Sequence, residues 1–313
     1  MQDALQNLVN MVDSYTMTIL LNIGIGIVLA LGLNIITGVT GQLTLGHAAF
    51  MSIGAFASAI ITLKFNLPFG INLIIAGLFS ALVGAIIGYP ILRLTGDYLA
   101  IATLGFAEIV KVVFLNLKIT QGALGLTVPD PGSVIPLPIY VFLVTLLCII
   151  AMSFTQNSRF GRALKAIRDD EIAAEAMGIN TARYKVQAFA IGSFLAGLGG
   201  GLYAHVLAYI NPSDFAFQKS IDILCMAVLG GLGSIPGTVL GASVLTIAPE
   251  FLRFMDQYRM LVYGVLLVVL MVFRPNGLMG GVDFTKLVKR AIGLKQTTVA
   301  NQNNRELTSG KGR

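Results

Sequence analysis

A chain of 313 residues that is 56% hydrophobic and only 12% charged, with a mean hydropathy of +0.82, has too little charge to cover a soluble globule. A soluble enzyme or binding module is therefore excluded, and an integral membrane protein is expected. The net charge of +6 does not indicate a nucleic-acid partner, because 14 of the 21 Lys and Arg lie in residues 155–185 and 274–313, beside apolar runs. That clustering is the positive-inside signature of cytoplasmic segments.

Residues 1–15 contain two Asp and no Lys or Arg, which is not the basic start of a signal peptide and fits a segment left outside. Thr16–Ile36 is the first span, long enough at 1.5 Å per residue to cross about 30 Å of hydrocarbon. The run Thr37-Gly-Val-Thr-Gly-Gln-Leu-Thr-Leu-Gly-His47 is polar, glycine-rich and uncharged. It reads either as a tight turn or as a broken, re-entrant segment in which Thr40, Gln42, Thr44 and His47 line a path, since glycine permits the bends and the side chains satisfy freed backbone groups. Ala48–Leu63, Ile71–Leu92 and Gly96–Leu117 give spans two to four. Glu108 and Lys111 stand three residues apart within the fourth, so they share a helix face. An ionisable pair is costly against lipid, so it is either a structural ion pair facing the bundle or part of a watery path. Residues 118–138 hold four of the ten prolines and form a loop. Leu137–Phe154 is span five, and Cys148 within it, like Cys225 later, stands alone without metal or redox spacing and reads as a packing residue.

Residues 155–185 break the apolar pattern, with six basic residues (Arg159, Arg162, Lys165, Arg168, Arg183, Lys185) against four acids (Asp169, Asp170, Glu171, Glu175). Gly161–Arg168 is helix-forming sequence with cations towards its end. Asp169, Asp170 and Glu171 supply N-cap and first-turn acids for a second short helix, Ile172–Met177, which Gly178 can close in the left-handed conformation. The run Ala173, Ala174, Ala176 lets another protein approach closely, with charges as a rim. The segment is thus either a docking element or a solvated linker. Val186–Ala208 is span six. Ser220–Leu232 and Thr238–Ile247 are spans seven and eight, separated by a second glycine-rich turn over 230–237, then an outer link over Pro249–Arg259 and a ninth span, Met260–Phe273. Paired glycine-interrupted segments in two halves point to a substrate path. The tail 281–313 is polar and reads as disordered.

The run Gly161-Arg-Ala-Leu-Lys-Ala-Ile-Arg-Asp-Asp-Glu-Ile-Ala-Ala-Glu-Ala-Met-Gly-Ile-Asn180 resembles the cytoplasmic coupling loop of permease subunits in ABC importers, with Gly178 at its characteristic glycine. More narrowly it is similar to the branched-chain amino acid permease family, as are residues 37–54 and 96–108. The resemblance implies that Arg162, Arg168, Asp169, Asp170, Glu171, Ala174, Glu175 and Gly178 dock on a separate ATPase. It further implies two ATP-binding subunits, a second permease, an external solute-binding protein and location in a bacterial or archaeal plasma (inner) membrane. Its cargo would be branched-chain or related amino acids, although relatives carry urea or amides.

The expected fold is an all-α polytopic transmembrane helical bundle of about eight to ten spans over residues 16–280, N-terminus outside and C-terminus cytoplasmic. No G-x-x-x-x-G-K-[ST] phosphate loop is present, so ATP binding falls to partner subunits. No catalytic constellation can be assembled from two histidines at membrane edges, and Asp169-Asp170 has no second acidic cluster with which to hold a metal. The alternative is an ion-gradient-driven secondary transporter with Glu108 as proton carrier. Uptake by a Glu108→Gln variant under a collapsed proton gradient would separate the two.

Overall fold

The computed structural model describes residues 14–65, 67–129 and 136–251, with Gly264, Gly277 and Met279. The segment 1–13, the ninth span Met260–Phe273 apart from Gly264, most of the link before it and the tail 281–313 lie outside the described residues. Among the described residues, six helices are long and apolar enough to cross a membrane. They are built on α1 (Ser14–Leu33, continued by a π-helical segment Asn34–Val39), α2 (His47–Phe65), α3 (Phe69–Ile91), α4 (Asp97–Asn116), α5 (Leu137–Asn157) and α8 (Thr181–Leu207). Between α5 and α8 lie the short α6 (Arg159–Asp169) and α7 (Glu171–Ala176). Spans seven and eight are short: α9 (Phe217–Gly230) has 14 residues and α10 (Ile235–Phe251) has 17.

The bundle is organised on α8, whose glycines let three helices approach its backbone. A Cβ on Gly200 would stand 2.0 Å from the Met51 carbonyl oxygen of α2, and one on Gly192 would stand 2.5 Å from the Gly32 carbonyl oxygen of α1. On another side, Gly197 faces Gly77 and Ser80 of α3. Lipid chains are as apolar as Leu, so close backbone packing rather than burial of apolar groups from water holds such helices together. Phe50 of α2 fills the space between α8 and α4, with ring centroids 5.3 Å from Phe189 and 5.4 Å from Phe106. The same device closes α9 on α10, where Gly230 meets the backbone of Gly237 and Gly241.

Several boundaries differ from those expected. The second glycine turn is only 231–234, because α10 starts at Ile235, and Pro249 does not end that helix, which continues to Phe251. A two-residue antiparallel pair, β1 (Leu126–Thr127) with β2 (Tyr209–Ile210), joins the loops after α4 and α8. It lies at the same end as Tyr15, which donates a hydrogen bond to Glu250. The opposite end carries the π-helical segment, α6, α7 and the 231–234 turn.

Candidate functional site

The charged segment folds as a rigid, capped unit. Ser158 caps α6 by accepting a hydrogen bond from the Gly161 N–H at 3.2 Å. Glycine is required at 161, since a Cβ there would meet the Thr155 and Gln156 carbonyl oxygens at 2.4 Å. Gly161, Leu164 and Ile167 recur every three residues as the buried face, leaving Arg162, Lys165 and Asp169 outward. Asp170 turns the chain and caps α7, its Oδ1 accepting from the Ala173 N–H at 3.0 Å. Gly178 (φ +84°) closes α7, its N–H bonding the Glu175 carbonyl at 2.9 Å while the Ile179 N–H reaches Ala174 at 3.1 Å. Glu171 pairs with Lys185, and Glu175 accepts from the Thr181 hydroxyl at 2.6 Å, so two of the four acids are spent fastening α7 to α8. Arg162 donates to the Asn157 carbonyl at 2.9 Å. Ala174 is buried against its own chain.

What α7 presents outward is Ile172 and Met177, 82% and 83% exposed, more than any other large apolar side chain among the described residues. Of the three alanines, Ala173 and Ala176 are exposed beside them and Ala174 is buried. The signal that could have found these two is their isolation: they are the only large apolar residues in a stretch of acids and alanines, one at each end of α7.

Arg168, at the last turn of α6, reaches away from this face. Its Nη1 donates to the Gly38 carbonyl in the π-helical segment. Gly38 in turn touches the second glycine turn, where the Gly233 N–H donates to Asn34 Oδ1 at 2.7 Å. A Cβ on Gly38 would stand 2.0 Å from Asn34 Oδ1 and 2.4 Å from the Gly233 nitrogen, so the junction has no slack. Beside it, the Met279 N–H bonds the Gly230 carbonyl at 3.3 Å. The two glycine turns are thus in contact with each other and with the charged element.

Residues 40–46 are not helical, and they climb from this junction into the bundle. Gly41 lies against Arg168, whereas the Leu45 N–H donates to Thr103 Oγ1 of α4 at 3.0 Å. His47 Nε2 donates to the Leu29 carbonyl at 3.1 Å, well inside α1. The freed N–H of Ala48 is capped by Ser220 Oγ of α9 at 3.0 Å. The segment is an irregular stretch of seven residues, 40–46, rather than a tight turn. Thr40, Gln42, Thr44 and His47 are all buried in this chain. The Thr40 hydroxyl donates to the Ile35 carbonyl at 2.8 Å and Thr44 accepts from the Gly46 N–H at 3.4 Å, while both amide atoms of Gln42 and Nδ1 of His47 have no hydrogen-bond partner among the described residues.

Glu108 and Lys111 form an ion pair of 3.1 Å, but not with these residues. Glu108 lies five residues past Thr103, about 140° round α4 at 100° per residue. Its side chain is 42% and that of Lys111 25% exposed, on a face that the described residues leave partly open.

The family described as branched-chain amino acid transport system / permease component matches residues 15–271. The high-affinity branched-chain amino acid transport system permease protein LivM of Salmonella typhimurium is 37% identical over 303 residues, covering 86% of this chain and 69% of that protein. The high-affinity branched-chain amino acid transport system permease protein LivH of Escherichia coli K12 is 27% identical over 83% of this chain and 92% of its own length. BraD of Pseudomonas aeruginosa is 29% identical with the same two coverages, 83% and 92%. No solved structure matches.

Proposed function

The chain belongs to the branched-chain amino acid transport permease family, and from that premise we propose that it is the transmembrane subunit of an ABC importer moving branched-chain or related amino acids into the cytoplasm. The observation that carries this reading is the exposure of Ile172 and Met177 on a capped, charged element between apolar helices. Large apolar side chains held out on a polar segment mark a protein contact, with the surrounding charges as its rim.

In this reading, α6 and α7 lie in the cytoplasm, where their basic residues belong, and the N-terminus lies outside. ATP is bound and hydrolysed by two separate subunits that grip Ile172 and Met177. A second, related permease completes the path and covers the α4 face bearing Glu108 and Lys111, since an ion pair left against hydrocarbon is costly. An external solute-binding protein delivers the cargo. Closure of the ATPase subunits moves the charged element and, through it, the irregular segment 40–46.

The test is the double variant Ile172→Ser with Met177→Ser in the complex purified from its native membrane in mild detergent. Truncating two interface anchors costs about 2 kcal/mol each at a typical hot spot, enough to lose the ATPase subunits on purification. Retention of those subunits together with full ATP-driven uptake removes the docking reading. Uptake by this chain alone that follows an ion gradient would establish a secondary transporter instead.

A further inference from the structure

We infer that Arg168 is the positioning residue that makes the docking element and both glycine turns move as one body. This rests on the docking reading of α6 and α7 and adds to it a specific route into the bundle.

Arg168 is the last basic residue of α6, one residue before that helix ends and two before the Asp170 cap of α7. Its guanidinium donates to the Gly38 carbonyl, a charge-assisted bond to a backbone group that cannot swing away as a side chain could. The Gly38 backbone sits at the meeting point of two broken helices. Towards the C-terminus it leads through 40–46 to the start of α2 at His47. Across the gap it abuts Gly233, held by Asn34 Oδ1 at 2.7 Å, in the turn joining α9 to α10. Lying 3.1 Å from a Cβ built on Gly233 and 3.0 Å (through its Cγ) from one built on Gly41, Arg168 touches all three glycine positions.

Close-packed junctions transmit displacement rather than absorb it. The missing room for any Cβ at Gly38 makes this junction such a case. A push on α7 therefore reaches α2 through 40–46 and α9 through 231–234 at the same time. The helices so driven already share a bond, Ala48 to Ser220, at the inner start of α2. One side chain thus ties α6 to both glycine turns.

The experiment uses the complete complex in proteoliposomes and reads three quantities: ATPase subunits retained, ATP hydrolysis, and solute moved per ATP. Arg168→Ala is expected to keep the ATPase subunits and hydrolysis while moving about tenfold less solute per ATP, in the usual range for one coupling contact. A covalent link should replace the lost one. Cysteines at 41 and 168 place their Cβ atoms about 3.5 Å apart, at the short edge of disulfide geometry. Arg168→Cys with Gly41→Cys, oxidised and verified by peptide mass, is expected to regain coupling and to lose it on reduction. Asn34→Ala, which frees Gly233, should uncouple as Arg168→Ala does, and the double variant should be no worse than either. Normal coupling in Arg168→Ala overturns the proposal, as does a verified disulfide that leaves transport uncoupled. Loss of the ATPase subunits in Arg168→Ala would make Arg168 part of the docking contact itself, which overturns the relay but leaves docking standing. If instead the Ile172 and Met177 variant keeps its ATPase subunits, docking falls whatever Arg168 does.

Discussion

Helices α8 and α4 have similar apolar composition and opposite surroundings. Every glycine of α8 is filled against a neighbour, with carbonyl oxygens of α1 and α2 within 2.5 Å of the added Cβ positions at Gly192 and Gly200. On α4, a Cβ on Gly105 would meet nothing within 4 Å, and the face it shares with Ile101 and Glu108 is left partly or fully exposed. Among the described residues, α8 is packed at every glycine and α4 keeps one face uncovered. A face with small residues and an ion pair permits close helix packing and is costly against hydrocarbon.

The contrast breaks most visibly at Gly200. Gly200→Ala puts a methyl group 2.0 Å from a backbone oxygen that no rotamer change can move, so α2 and α8 must part. The expected cost is about 3 kcal/mol, at the upper end for overpacking, read as a fall in folded protein on mild-detergent extraction and in its thermal inactivation temperature. Next comes the ion pair. Glu108→Leu strands Lys111, which costs about 3 kcal/mol beside hydrocarbon but under about 1 kcal/mol where water or a partner reaches it. With the face closed by a second permease along a wet path, folded yield is expected to hold while uptake falls. A drop in yield of the size seen for Gly200→Ala would place the pair against lipid. The smallest effect is at Gly105. In the isolated chain Gly105→Ala should raise stability by about 0.5 kcal/mol, because alanine restricts the unfolded chain more than glycine does. Within the assembled complex it should weaken retention of the second permease if a partner helix packs at that glycine, and native mass spectrometry of the two forms would show the difference.

Much of the fold was legible because hydropathy marks what is buried in either lipid or protein. Six long helices fall where the apolar runs do, and the caps at Asp170 and Gly178 follow from residue chemistry that needs no tertiary context. What hydropathy cannot say is which face of a span is inside, since lipid and core select the same side chains. Hence Glu108 and Lys111, which the residues allowed to face inward, lie on the open side of α4. The π-helical segment at Asn34–Val39 and the climb over 40–46 were legible only as glycine-rich polarity. Their geometry depends on Asn34, Arg168 and Thr103, contributed from three distant parts of the chain. For the same reason the two glycine turns could be paired by position, but nothing local in 230–237 reveals that Gly233 meets Gly38. On α7, nothing local says that Ala174 is buried while Ile172 and Met177 stay exposed.

The hydrogen bond from Ala48 to Ser220 spans 172 residues of sequence. At a synthesis rate of about 5–20 residues per second, roughly ten to thirty seconds separate the emergence of one partner from that of the other. Throughout that interval the broken start of α2 waits in the nascent chain with its amide uncapped, and for most of it the glycine surface that will hold α1, α2 and α3 does not yet exist, because Thr181–Leu207 is still to be made. The first three helices are therefore delivered to the membrane before the helix that orders them, and the newborn protein stays an open sheaf until translation is well past its midpoint.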